Sequence, residues 1–267
     1  MSLIFQESSV QGIQRIAPDV YRLVFSARAI ARQAKPGQFL MIRPVKFREP
    51  LLPRPFSIHR IRKNFLEILF KVVGLGTRQL AEAAKGDLLE IRGPLGRGFR
   101  VDLAKEPVLV AGGLGVAPLL GLAESLSKLK KWPFRFPAKL VIGAKTKKEL
   151  FCLREFEQAC LEVLVATEDG SSGHKGLVTD LLKKLFPKRE APVALYACGP
   201  NPMLKAVGRW AVARDIPCQV SLEARMACGL GACLGCVTAQ KNEAGISYVN
   251  VCQEGPVFEA KDLVWEE

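Results

Sequence analysis

Apolar and polar positions alternate in short runs through the first hundred residues. VYRLVFSA, QFLMIRPV, FSIHRI, FLEILFKVVG and DLLEIRGP each have a strand's length and are cut by Pro and Gly turns such as Lys35-Pro36-Gly37. Short strands at this spacing predict a closed β-barrel. One stretch breaks the alternation, TRQLAEAA at 77–84, and predicts a helix. From Pro107 the rhythm changes. PVLVAGG is a buried strand and APLLGLAESLSKLKK an amphipathic helix. AKLVIGAK, LEVLVAT, VALYACG and PCQVSL continue the strands, with helices near ELFCLREFEQAC and LVTDLLKKL and over PMLKAVGRWAVARD. Continuously apolar strands alternating with helices predict a parallel sheet covered on both faces, a dinucleotide-binding type of domain. The boundaries expected are 1–102 for the barrel, 103–220 for the α/β domain and 221–267 for a small C-terminal domain.

Composition fits this division. The chain has 267 residues, 49% of them hydrophobic, enough for about two globular domains and an appendage. No run of ~18 apolar residues predicts a membrane span. MSLIFQESSV lacks the basic and long apolar regions of a secretory signal, so the cytoplasm is the expected compartment. The formal net charge is +13, but the basic runs IRKN, KTKKE and KKLFPKRE are scattered and not interleaved with aromatics. A solvated basic surface facing anionic cofactors or an acidic partner is expected, not a nucleic-acid binder.

The most specific chemistry is at the C-terminus. Cys228, Cys233, Cys236 and Cys252 are spaced C-x4-C-x2-C-x15-C, with the first three inside CGLGACLGC. This is the ligand run of a plant-type [2Fe–2S] cluster. Gly229, Gly231, Ala232 and Gly235 leave room for backbone to curl round such a cluster. Zinc is the rival, though structural zinc sites generally use well-separated paired cysteine knuckles. With no export signal, three cysteines so close together favour metal ligation over disulfides. Cys152, Cys160 and Cys218 lie in apolar contexts and are expected to pack. His59 and His174 are too isolated to propose as ligands or bases.

Two glycine turns suggest phosphate sites. In LFKVVGLGTRQLAE, Gly74 and Gly76 allow a tight turn, and Thr77 can cap the helix that follows. The N–H groups at such a helix start are a ready anion site. In VAGGLGVAPLL a strand, a turn with Gly112, Gly113 and Gly115, and a helix starting near Pro118 form a second phosphate cradle. Its closing position is Ala117-Pro118, a departure from G-x-G-x-x-G. Lys145, Lys147 and Lys148 follow the next strand, where no acidic residue clearly stands, so NADP stays open beside NAD.

RPFSIH at 54–59, then a Gly-Thr pair opening a helix, then a parallel α/β domain, resembles the ferredoxin reductase family of flavoproteins. The resemblance implies that Arg54 meets the FAD pyrophosphate, with Gly76 and Thr77. Pro55, Phe56 and Ser57 would run beside the isoalloxazine, Ser57 near its reactive edge. Leu69, Phe70 and Lys71 would flank the flavin or the adenosine half. Gly112, Gly113 and Gly115 would receive the nicotinamide dinucleotide, and Cys198, Gly199 and Pro200 would end a strand beside the nicotinamide, with Met203 beginning the next helix.

A closer resemblance covers nearly the whole chain. GLGTRQLAEAAKGDLLEIRGPLGRGF, AGGLGVAPLL, EDGSSGHKGLVTDLL, YACGPNPMLKAV, SLEARMACGLGACLGCV and VCQEGPVFEAKDLVW run in order as in electron-transfer subunits of class 1B dihydroorotate dehydrogenases. This implies an FAD-binding barrel at 1–102, an NAD-binding domain at 103–220 and a [2Fe–2S] domain at 221–267. It further implies a catalytic partner subunit carrying FMN that oxidises dihydroorotate in pyrimidine biosynthesis. Electrons would pass through the cluster and FAD to NAD⁺, in a heterotetramer of two plus two. The 228–236 loop would meet the partner, and no catalytic side chain would be needed here. The alternatives are a redox subunit of a ferredoxin:NADP oxidoreductase, sulfide dehydrogenase or hydrogenase complex, and a zinc-binding interaction protein on a reductase-like scaffold.

Overall fold

The structure is a computed structural model describing residues 3–47, 49–129, 138–159, 162–187 and 192–265. The N-terminal strands are β1 (Ile4–Ala17), β2 (Val20–Ser26), β3 (Phe39–Pro44), β4 (Arg54–Ile61), β5 (Phe65–Lys71) and β6 (Leu88–Leu95). They close into a barrel in the order β1-β2-β5-β4-β3-β6, every pairing antiparallel. Short helices α1 (Arg28–Ala31) and α2 (Leu75–Ala81) lie between strands. The period of two sorts the side chains. Leu40, Ile42, Phe56, Ile58, Ile68 and Phe70 fill the barrel interior. Their neighbours Phe39, Met41 and Leu69 face outward and are also buried, because other segments pack on the outside.

The α/β unit follows as β7 (Glu106–Gly112), α3 (Val116–Ser127), β8 (Lys139–Ala144), α4 (Leu153–Gln158), β9 (Glu162–Thr167), β10 (His174–Lys175), α5 (Val178–Leu185), β11 (Val193–Cys198), α6 (Asn201–Val212) and β12 (Cys218–Ser221). The C-terminal segment adds β13 (Val237–Asn242), β14 (Gly245–Asn250) and β15 (Val257–Glu259). The central sheet runs β10-β9-β8-β7-β11-β12-β15, parallel except for β15. The segment expected as a third domain therefore lends an edge strand to the sheet of the second. One core cluster lies on the α3 and α4 side of the sheet and takes in Val20 and Leu69 of the barrel. The other lies on the α6 side and takes in Phe39, Met41 and Leu95 together with Cys236 and Cys252. Both glue the barrel to the rest. No helix among the described residues is long and apolar enough to cross a membrane.

Several elements differ locally from expectation. α2 starts at Leu75, two residues early, because Thr77 Oγ1 reaches back to accept the Val73 and Gly74 N–H groups at 2.9 and 3.1 Å. α3 starts at Val116 after a 3₁₀ turn over Gly113–Gly115, which leaves Pro118 in the first turn, where a missing N–H costs nothing. The helix expected over ELFCLREFEQAC is split into a 3₁₀ turn, Lys147–Glu149, and α4. Cys152, at φ +61°, breaks it. Cys160 lies outside the described residues. The β13–β14 hairpin was not anticipated, and His174 pairs with Ala166 at the sheet edge.

Candidate functional site

The two α/β glycine turns meet backbone to backbone. A Cβ on Gly115 would collide with the carbonyl of Cys198. One on Gly112 would lie 2.6 Å from Met203 Sδ and 2.9 Å from Pro200 Cδ. One on Gly199 would lie 3.0 Å from Gly112 Cα. These glycines are required because β7 and β11 are adjacent in the sheet and both chains turn out of it at the same level. Gly113 differs: at φ +51° it has open space beside it and borders a cleft of about 880 Å³.

That cleft is walled by both glycine turns and by Lys71 from the barrel, and at its other end by Lys145 and Lys148. Its volume and its position at the carboxyl ends of parallel strands suit a dinucleotide. Sequence reasoning missed four acids in it, Asp19, Glu149, Glu168 and Glu223. Glu149 lies five residues past β8, but the 3₁₀ turn brings it back, and its Oε2 accepts the Lys145 N–H at 3.3 Å. Glu223 stands two residues past β12, and an acid just beyond the end of a buried parallel strand is the signal that could have found it. Its surroundings in the cleft raise its pKa through desolvation. Cys198 is buried, and burial, with Glu223 nearby, pushes its thiol up to about 12. It packs and does not react.

Around Arg54 lies a second, shallower hollow of about 420 Å³, lined by Glu49, Pro50, Leu51, Leu52 and Leu75. Arg54 Nη1 donates to Leu52 O at 2.6 Å. A Cβ on Gly76 would lie 3.5 Å from Arg54 Cγ, so the guanidinium stem runs along the first turn of α2. Leu51 and Leu75 are exposed beside this cation, a pairing that fits a ligand with flat apolar rings and phosphates. Pro55 and Ser57 are half-buried. Phe56 and Phe70 face the barrel interior and meet edge to face, so what they offer a ligand is backbone. Leu69 packs outward against the α/β unit, and Lys71 is exposed.

The four C-terminal thiols fall into two couples. Cys228 Sγ lies 3.3 Å from Cys233 Sγ, and Cys252 is in contact with Cys236. One sulfur couple for each iron suits a two-iron cluster. Among the described residues no three ligand side chains gather for a single ion. Backbone N–H groups already point at the sulfurs, Leu230 N–H to Cys228 Sγ at 3.3 Å and Gly231 N–H to Cys252 Sγ at 3.1 Å. Burial opposes ionisation of Cys228, yet the N–H groups of Leu230, Cys233 and Ala232 and the Cys233 thiol outweigh it and bring the thiol down to about 7. Cys252, buried beside Cys236, is pushed up to about 12. Gly229 and Gly231 both have positive φ, and Gly231 is held against Gln253, whose Nε2 donates to Leu230 O at 2.8 Å. Cys233 and Leu234 form an exposed tip, while Cys236 and Cys252 lie under it.

Comparisons with known proteins agree with this arrangement. Residues 223–264 match the iron–sulfur cluster binding domain of dihydroorotate dehydrogenase B, and residues 109–209 match the oxidoreductase NAD-binding domain. The dihydroorotate dehydrogenase B (NAD(+)) electron transfer subunit of Desulforamulus reducens is 41% identical over the full length of both chains. That of Caldanaerobacter subterraneus subsp. tengcongensis is 40% identical, covering 97% of this chain and 98% of its own. Among solved structures, a chain of an NADH-dependent reduced ferredoxin-NADP oxidoreductase superposes with a TM-score of 0.82 at 29% identity, covering 97% of this chain and 90% of that one. A ferredoxin NADP⁺ reductase from Neisseria gonorrhoeae with bound FAD and NADP shares the fold, with a TM-score of 0.62 at 18% identity over 78% of this chain and 90% of that one.

Proposed function

The chain belongs to the electron-transfer subunit family of dihydroorotate dehydrogenase B, and we propose from that membership how its residues divide among three cofactor sites. It is an oxidoreductase subunit that takes a [2Fe–2S] cluster, FAD and NAD. Residues 1–102 serve FAD, 103–220 NAD and 221–267 the cluster. When bound, FAD exchanges both single electrons and a hydride, whereas the cluster handles single electrons only.

The chain's own task is placement. Arg54 offers a permanently charged fork to the pyrophosphate, joined by the backbone of Gly76 and Thr77. Pro55, Phe56 and Ser57 present a stiff strand edge to the flavin ring, and Leu69, Phe70 and Lys71 border it from the next strand. Gly112, Gly113 and Gly115, with Cys198, Gly199 and Pro200, receive the nicotinamide dinucleotide. Cys228, Cys233, Cys236 and Cys252 hold the irons. None acts as nucleophile or general base.

A catalytic partner subunit follows from what the family is. We infer further that it carries FMN and oxidises dihydroorotate, that the assembly holds two copies of each subunit in the cytoplasm, and that the Cys233–Leu234 tip faces the partner. The observation carrying this reading is the pair of thiol couples, one reaching the exposed tip and one buried beneath it, in a loop seated on a barrel strand adjacent to the strand of Arg54. The ferredoxin:NADP alternative is not favoured, since relatives with the dihydroorotate dehydrogenase description are near 40% identical over nearly the whole chain.

Absorbance and EPR spectra of the purified chain, before and after NADH, test the reading. Flavin bands that NADH bleaches, and a [2Fe–2S] signal, are expected. With the catalytic subunit co-expressed, dihydroorotate should reduce NAD⁺. A colourless protein holding stoichiometric zinc would sink it.

A further inference from the structure

His59 is completely buried where the barrel meets the α/β unit. It stands two residues along β4 from Ser57, where the β4–β5 pairing shifts register between Ile58 and Arg60. Its contacts with Ala117 and Cys152 place its ring on the side of the strand that faces the α/β unit. His59 Nδ1 lies 3.0 Å from the carbonyl oxygen of Ala117. Ala117 is the second residue of α3, immediately after the turn over Gly113–Gly115. One imidazole thus bridges the strand that carries Ser57 and the helix whose entry turn lines the cleft.

The surrounding contact is close and ordered. One turn beyond Ala117, a Cβ on Gly121 would lie 3.2 Å from His59 O, so α3 rides directly on the backbone of β4. Farther from the cofactor residues, Arg60 Nε donates to Glu124 Oε1 at 2.7 Å, and Arg62 Nη1 donates to Glu124 Oε2 at 3.3 Å. On the other side, His59 Nε2 faces Cys152 Sγ at 3.9 Å, and Arg22 pairs with Glu155 of α4 at 2.5 Å. Of these groups His59 is the nearest in sequence to Ser57, and its partner Ala117 the nearest to Gly115. Burial, outweighing the Ala117 contact, pushes the imidazole down to about 4, so it is neutral at physiological pH and free to donate from Nδ1. Within the helix Ala117 O also faces the Gly121 N–H, so the imidazole bond adds a constraint between units and is not needed for helix formation.

We propose that His59 is a positioning residue for the hydride step, a strut that sets the spacing between the flavin strand and the nicotinamide-binding turn. The inference rests on the assignment of Ser57 and the 112–115 turn given under the proposed function. Transfer between two bound rings is steep in distance, and a displacement of about 1 Å can cost roughly 10²-fold. A buried bond linking the two binding elements controls such a displacement directly.

The test uses the flavin- and cluster-loaded subunit mixed anaerobically with NADH in a stopped-flow spectrometer. Three quantities are read: the rate of flavin bleaching, the long-wavelength absorbance of nicotinamide stacked on flavin, and the NADH Kd. His59→Phe keeps ring volume without the donor, and His59→Asn keeps a donor near the Nδ1 position. Gly121→Ala leaves the imidazole intact but crowds the His59 carbonyl, so α3 and β4 must part by a few tenths of an ångström. In His59→Phe bleaching should slow about tenfold or more and the stacking band should weaken, with Kd within about twofold of wild type. His59→Asn should recover to within about threefold, and Gly121→Ala should slow bleaching in the same direction as His59→Phe but by a smaller factor, about twofold or more. If His59→Phe does not fold, Gly121→Ala decides alone. Wild-type rates and an unchanged band in the folded variants would overturn the strut while leaving the cofactor assignment standing. Wild-type flavin that NADH fails to bleach would overturn the assignment, and the strut with it.

Discussion

Gly229 of the cysteine loop rests on Met41 of the barrel. A Cβ at 229 would lie 2.6 Å from Met41 Cγ and 3.1 Å from its Sδ, and the glycine's φ is +71°. Met41 is fully buried and pairs with Pro55 across the β3–β4 ladder. The thiol loop and the strand proposed to border the flavin are therefore two contacts apart through one methionine. Gly229→Ala should disturb both features. Left-handed backbone costs an alanine about 1–2 kcal/mol, and overpacking adds roughly 1–3 kcal/mol. Iron and sulfide per chain should fall while flavin content holds. Full iron content would show that the loop has slack there.

Cys233 is the exposed member of the thiol set. Cys233→Ser should cut dihydroorotate-driven NAD⁺ reduction at least tenfold in the assembled enzyme, because a thiolate is a far better iron ligand than a hydroxyl. NADH-driven bleaching of the flavin should continue at its normal rate. Parallel assays of the two half-reactions separate these outcomes.

Gly115 packs against the backbone of Cys198 and Gly199 with no space for a side chain. Gly115→Ala must push the 112–115 turn off β11, at a cost of roughly 1–3 kcal/mol. The NADH Kd, measured by titration of the flavin-loaded subunit, should rise about tenfold. Gly113→Ala, at a position open to the cleft, should raise it less, since there only the φ of +51° is at stake.

Arg54 stands beside the first turn of α2 with three exposed leucines, Leu51, Leu52 and Leu75, around it. Arg54→Ala should weaken flavin retention about 10- to 100-fold, the value of one charge-assisted contact of about 1.5–3 kcal/mol. Arg54→Lys should restore only part of it, because an ammonium lacks the fork. Flavin released on dilution gives the measurement.

His59 also makes stability depend on pH. Its pKa falls from 6.5 to about 4 on folding, chiefly through burial. Between these values the unfolded chain binds a proton that the folded chain refuses, so stability is full above pH 6.5 and is lost as pH falls toward 4. The shift corresponds to about 3 kcal/mol over that window. Urea midpoints across pH 4–7 should decline for wild type and decline distinctly less for His59→Asn. Parallel curves would place the acid sensitivity elsewhere.

Much of this molecule can be read along the chain because its signals are local. The switch from alternating to continuous apolar strands near Pro107 marks where barrel gives way to parallel sheet, since a strand's pattern reports how many of its faces are covered. The spacing of Cys228, Cys233 and Cys236 names its chemistry because one loop must supply three ligands to one cluster. Where a signal depends on a distant element, the chain is silent. Glu149 and Glu223 reach the cleft only because a 3₁₀ turn and the end of β12 deliver them there. The β13–β14 hairpin and the addition of β15 to the central sheet depend on partners that no local period encodes.

By itself the sequence determined most of the strands and helices, the glycine turns and the thiols proposed as iron ligands, because backbone conformation and ligand type are set within a few residues of each position. The tertiary structure alone decided how the three sites are joined. His59, isolated in sequence, becomes a bridge to Ala117, 58 residues on, and Gly229 finds Met41 across most of the chain. Such contacts arise when preformed elements bury their remaining apolar faces against one another, and burial is a property of the packed whole.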